Sequence, residues 1–501
     1  MVPEKLPLED YAPTAVNVGD SVLYFMASAG ETRPIYKSRD PKAGKWEIAN
    51  PMLSIVVWDP CLFLDDDNRL YLYWGCNNGK PIFCTELDLK NNLRPIGNIV
   101  ECFGGNFEEH GWEQGGENNN STGWAAAPFV EGAWINKVNG KYYLQYAAPG
   151  TQWRIYADGV YTSDKPMGPF RYEPYNPFSY KPGGFAGGAG HSSTFKDKNG
   201  NWWHICTSVI SDKHIFERRI SLFQAGFDND GVLYCHTTWG DYPQSIPTAK
   251  RTSLTEAAPE WMLLSYNKKL TASSMLDGYP LANAADEDIK SYWSAQTGNK
   301  GEWLLMDMEK EFDVYALQVN FAEHLTKLIG RTADNYFQYT IEYSADGTSW
   351  KMLLDKSRNT SDVPHDYTML KKPVKARYIR LTNVHVPDGT FAVRGLRVFG
   401  KGIGAVPATP VFEKWDRNPY NQRRFWLVWN EVPGATGYIV RFGMSKDKLY
   451  HSVMVHGKTQ LDMNFMNKGV DYYFTVEAFN EYGVSPAGSI LELPHTGSYK
   501  P

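Results

Sequence analysis

The sequence predicts an all-β chain whose residues 1–250 form a β-propeller. The first observation is a repeated plan of alternating strand, turn and aromatic-rich strand. It occurs in "TAVNVGDSVLYFMAS", "CLFLDDDNRLYLYWG", "AWINKVNGKYYLQYA" and "STFKDKNGNWWHICT", beginning at Thr14, Cys61, Ala133 and Ser193. The second is the turn chemistry between those strands, with Asn139-Gly140 the strongest short-range hairpin signal. The third is the weaker strand pair behind each hairpin, such as "PIYKSRD" with "GKWEIA". Units of about four short strands that return every ~40–70 residues read as propeller blades.

Each blade begins beside the central axis, so residues just before each hairpin converge there. They read "YAPTAV", "WDPCLF", "VEGAWI" and "GAGHSSTF", which places Asp59, Glu131 and His191 at corresponding points of three repeats. A strand-end carboxylate is usually solvated, but three polar groups gathered in one funnel make a candidate site.

The bulk numbers fit this. A chain of 501 residues is long enough for about three domains. A net charge of −5 gives no basic field for nucleic acid or an anionic membrane. Aromatic residues at 14% supply flat faces suited to the C–H faces of sugar rings, or simply to strands. The six cysteines match neither a zinc site nor a disulfide framework, so buried thiols are expected. No apolar run is long enough to span a bilayer, and "MVPEKLPLEDYAP" lacks the pattern of a signal peptide.

With "WDPCLFLDDDNRLYLYWG", "VEGAWINKVNGKYYLQYAAP", "GAGHSSTFKDKNGNWWHICT" and "ERRISLF" in order, residues 1–250 resemble glycoside hydrolase family 43, a family of five-bladed propellers. The resemblance implies inverting hydrolysis at the ends of plant glycans bearing arabinofuranose, xylose or galactose. It implies Glu131 as general acid, Asp59 as the neighbour that tunes it, and Arg219 as a group reaching the sugar or the acid. It also implies His191 on the axis, touching a cation through water. No cofactor is needed for the chemistry, although Ca²⁺ is expected in the propeller channel. The departure lies at the start. "YAPTAV" matches the family's second-blade opening, so the base-bearing blade is expected to be absent, or else Asp10 or Glu9 stands in as base.

The long Gly- and Asn-rich loop Phe107–Pro128 ends beside Glu131, which makes Trp112 and Trp124 candidate walls of a sugar subsite. Tyr11 and Trp153 are further candidates. Residues 251–267 read as a linker. Residues 268–401 resemble the discoidin-type (F5/8 type C) β-sandwich that includes carbohydrate-binding family 32, with Asp286 and Asp288 as candidate Ca²⁺ ligands. Residues 402–501 resemble a fibronectin type III sandwich, expected to act as a spacer. The expected partner is a carbohydrate substrate, with no nucleic acid and no membrane span, and the chain is expected to be a monomer outside the cytoplasm. A catalytically silent sugar-binding protein is the alternative from another class, and a structural adhesin a further one.

Overall fold

The structure, a computed structural model, describes residues 11–19, 21–28, 34–209, 218–327 and 335–496. Four antiparallel blades follow one another. The first holds β1 (Tyr11–Val18), β2 (Val22–Ser28), β3 (Ile35–Asp40) and β4 (Lys45–Asn50). The second holds β5 (Cys61–Leu64), β6 (Leu70–Trp74), β8 (Ile82–Asp88) and β9 (Arg94–Phe103). Between them, the short β7 (Asn77–Asn78) crosses to pair with the next blade. That third blade is β10 (Phe129–Val138), β11 (Lys141–Ala148), β12 (Ala157–Ser163) and β13 (Arg171–Tyr172). The fourth is β14 (Gly190–Lys196), β15 (Trp202–Val209), β16 (Arg218–Phe227) and β17 (Leu233–His236).

The turns form where the sequence signals them. Asn139 and Gly140 both have positive φ (51° and 82°) between the paired Val138 and Lys141, the twist a two-residue hairpin needs. The strands behind the inner hairpin strands, β6 and β12, are buried along their whole length. Blades packing face to face leave such strands no solvent side, which explains the continuous apolar run LYLYW of β6.

The second module is an eight-stranded assembly of β18 (Met262–Leu263), β19 (Lys269–Ala272), β20 (Trp293–Ser294), β21 (Trp303–Phe321), β22 (Gln338–Ser344), β23 (Lys351–Asp355), β24 (His365–His385) and β25 (Ala392–Lys401). Its core holds Trp293, Ile379 and Leu381. Because β18 pairs with β25, the module takes in residues from inside the predicted linker 251–267. The third module packs β26 (Phe412–Arg417), β27 (Phe425–Trp429) and β30 (Gln460–Met463) against a sheet of β28 (Gly437–Gly443), β29 (His451–His456), β31 (Tyr472–Asn480), β32 (Gly483–Val484) and β33 (Leu491–Leu493).

This third module is no spacer. Its Phe425, Phe442 and Phe465 share one apolar core with Trp112, Tyr146 and Tyr180 of the propeller. In the segment before β18, Trp239, Tyr242 and Trp261 are buried among residues of the second and third modules. Arg397 adds a buried bidentate pair to Glu287 at 2.9 Å and donates to the Asp241 carbonyl at 2.6 Å. Burial opposes charge on Asp241, but Lys181 and Arg397 hold its carboxyl below the usual range. All six cysteines are free thiols. Among the described residues no helix is long and apolar enough to cross a membrane.

Candidate active site

The inner strands share a local irregularity that builds the site. Pairing registers jump between Tyr11 and Thr14, Glu131 and Trp134, and Gly190 and Ser193. At the same point Ala12, Asp59, Gly132 and His191 all take positive φ (44°, 49°, 65° and 52°). Such bulges turn a strand and re-aim its side chains. Asp and His tolerate this backbone better than most residues, at a cost of about 1–2 kcal/mol. Asp59 and His191 are therefore true equivalents. Glu131 lies one residue earlier, corresponding to Tyr11 and Gly190, which corrects the one-to-one alignment expected from sequence.

These residues meet. Asp59 is buried, with its Oδ1 accepting the Ser28 hydroxyl at 3.0 Å and its own N–H donating to that same oxygen at 2.6 Å. Its Oδ2 accepts the Gly132 N–H at 3.3 Å and lies 3.8 Å from His191 Nδ1. Glu131 is held at both oxygens: the Tyr156 hydroxyl donates to Oε1, and the Cys76 thiol to Oε2 at 3.2 Å. One ligand atom each from Asp59, Cys76 and Glu131 falls within 4.8 Å of the others. Burial, and then the charge of Asp59, push the Glu131 carboxyl above its usual range, with His191, Tyr156 and Cys76 opposing. Burial, together with Asp59 and Glu131, also pushes the Cys76 thiol up, which keeps it a donor.

Gly132 is required twice, by its φ of 65° and because a Cβ there would lie 3.0 Å from His191 Cγ and 3.1 Å from His191 Cα. Gly132→Ala should destabilise the chain by about 1–3 kcal/mol and lower any activity that depends on Glu131. Denaturant unfolding, read beside an activity assay, checks both; an unchanged midpoint would count against this packing. Behind His191, its backbone N–H donates to Asp158 Oδ1 at 2.9 Å, and Asp158 Oδ2 lies 3.1 Å from His204 Nε2.

The other candidates fall elsewhere. Trp112 is fully buried, donates its indole N–H to the Tyr172 hydroxyl at 2.9 Å, and offers no face to a sugar. Trp124 is 78% exposed and Tyr11 52% exposed, while Trp153 is half-buried near Gly115 and Gly150. Arg219 donates to the Arg218 carbonyl and lies within electrostatic reach of His365 in the second module, so its surroundings include that module. Asp10 and Glu9 lie outside the described residues. Tyr156, Cys76 and Asp158 were not foreseen, since none belongs to a motif and only the pairing of neighbouring strands brings them in.

A hard Ca²⁺ ion takes about six to eight oxygen ligands. At the axis, where His191 is expected to reach a cation through water, its ring nitrogen lies 3.8 Å from Asp59 Oδ2. Asp288 is engaged by Arg154, and Asp286 accepts the Ser291 hydroxyl at 2.6 Å and the Asp288 N–H at 3.0 Å.

The bulged inner strands of this propeller thus gather a sheltered glutamate, an aspartate and a histidine. Residues 3–233 match Glycosyl hydrolases family 43, and residues 269–394 match the F5/8 type C domain. The chain thus carries a family 43 domain followed by an F5/8 type C domain. It is 27% identical over 155 residues to "Beta-xylosidase" of Xylanibacter ruminicola, covering 28% of this chain and 44% of that protein. It is 30% identical over 172 residues to "Arabinoxylan arabinofuranohydrolase" of Paenibacillus polymyxa, covering 31% of this chain and 24% of that protein. The chain therefore spans less than half of either relative. A solved "thermostable family-43 glycoside hydrolase" aligns with a TM-score of 0.38 at 19% identity, covering 48% of this chain and 78% of that one.

Proposed function

We propose that the chain hydrolyses glycosidic bonds at the ends of plant glycans bearing arabinofuranose, xylose or galactose, with Glu131 as proton donor. The observation that carries this is the pairing of Glu131 with Asp59 in a sheltered cluster that favours the protonated carboxyl. A leaving sugar oxygen needs a proton as its bond breaks, and a glutamate whose carboxyl is held above its usual range is the better donor. The names of the two relatives support the substrate class.

Asp59 is the positioning residue. Single displacement needs its two catalytic carboxyl groups about 6.5–9.5 Å apart, with a water between them. Asp59 and Glu131 approach within 4.8 Å, so Asp59 does not activate that water. Asp158 is fully buried and committed to His191 and His204. The described cluster therefore supplies the acid half of the reaction. An extracellular or periplasmic monomer belongs with this reading.

The test is the release of sugar from 4-nitrophenyl arabinofuranoside, xyloside and galactoside, followed by proton NMR. The expected first product has inverted anomeric configuration, and retained configuration would contradict the single displacement. The alternative, sugar binding without turnover, is favoured by the spacing of Asp59 and Glu131, too close for Asp59 to serve as the base. Saturable binding of arabinose or galactose with no hydrolysis of any of the three would establish it.

A further inference from the structure

The outer surface of the third module carries a trough that the proposed site does not use. On β27, Phe425 and Leu427 point into the core and Trp426 points out, 38% exposed. Trp426 stands opposite Asp416 of β26 and Asp462 of β30. The turn between β26 and β27 presents Tyr420, 99% exposed, with its backbone N–H fixed on Asn418 Oδ1 at 2.9 Å. Asp416, Asn418, Tyr420, Arg424 and Trp426 line a concavity of about 680 Å³. A second one, of about 310 Å³, shares Arg424 and continues along Asn118, Asn120 and Thr122 of the loop before β10.

The chemistry of these walls selects among occupants. Arg424 is neutralised by a bidentate pair with Asp462 at 3.1 and 2.7 Å, so it offers no free cation to an anionic ligand, which the Asp416 carboxylate would also repel. Asp416 Oδ1 is sheltered without a hydrogen-bond partner among the described residues. Two exposed aromatic rings beside amides and an unpartnered acceptor suit a molecule with flat apolar faces and hydroxyl edges. The trough also continues onto the loop that leads into Glu131, and the third module clamps that loop. Arg423 donates to the Phe107 carbonyl at 2.8 Å, Asn118 donates to the Asp462 carbonyl at 3.2 Å, and Asn464 donates to the Asn119 carbonyl.

We infer that this trough binds a stretch of neutral polysaccharide, holding a glycan chain on the third module beside the loop that borders the site. The choice of a pentose-rich glycan rests on the proposed function; the binding itself does not.

The test is affinity electrophoresis of the full chain in gels containing soluble neutral arabinoxylan, with wild type beside Trp426→Ala and Tyr420→Ala. Wild type should be retarded, and each variant should bind about tenfold more weakly, with 4-nitrophenyl glycoside turnover unchanged. Equal retardation of wild type and both variants would assign the binding elsewhere and overturn the inference. So would an unretarded wild type, or a dimer in sedimentation that either variant dissociates, since the face would then join two copies. A chain that is retarded but cleaves nothing keeps this inference and ends the proposed function; one that cleaves but migrates freely does the reverse.

Discussion

Glu131→Gln should lower kcat/KM on unactivated glycosides by about 10²–10⁴-fold, the usual worth of a positioned proton donor. The amide keeps the shape of the carboxyl; its one oxygen accepts from Tyr156 or Cys76 while its NH2 donates to the other, whose O–H or S–H can turn away, so the fold should be little changed. What it loses is the proton for the departing sugar oxygen. A nitrophenol leaves without much help, so the loss should be much smaller with 4-nitrophenyl glycosides than with an arabinose- or xylose-terminated oligosaccharide. Parallel kinetics on the two substrate types check this. Equal losses on both would show that Glu131 binds or shapes the pocket without donating a proton.

Trp112→Ala should cost about 3–5 kcal/mol of stability, the range for deleting a buried tryptophan. Its ring is fully buried, lies 5.4 Å from that of Tyr146, and joins the core that the propeller shares with Phe425 and Phe465 of the third module. Its indole N–H also leaves the Tyr172 hydroxyl short of a partner when removed. Trp124→Ala in the same loop should leave stability nearly unchanged, because Trp124 is 78% exposed. Denaturant midpoints of the two variants give the comparison, and similar midpoints would refute the assignment of Trp112 to the core.

Much of the architecture was legible because its signals are local. Asn139-Gly140 and the alternating strands around it describe a hairpin without help from distant residues, and four such hairpins declare a repeat. The axis residues Asp59, Glu131 and His191 were legible through that repetition. Their register was not, because a bulge adds a residue without any mark in composition; only the shared positive φ of Asp59, Gly132 and His191 reveals it. Trp112 and Trp124 look alike in a Gly- and Asn-rich loop, and the difference between them is made by the third module, more than 300 residues away in sequence. Cys76 comes from the second blade and faces Glu131 only once the blades pack, while Tyr156 reaches it from the end of a strand of the same blade. A spacer was the natural reading of residues 402–501, since the apolar stripe of a sandwich is the same whether it meets its own sheet or a neighbour.

The account stands on Glu131 being a proton donor whose protonated form is favoured by the charge of Asp59. Activity that needs a protonated Glu131 falls as pH rises through the pKa of that carboxyl, which gives kcat/KM an alkaline limb. Removing the nearby charge lowers this pKa, because the ionised form is no longer opposed. The direct measurement is the pH dependence of kcat/KM for wild type and Asp59→Asn on one substrate. The account predicts that the alkaline limb moves to lower pH in the variant; a limb that stays in place, or moves to higher pH, would contradict it.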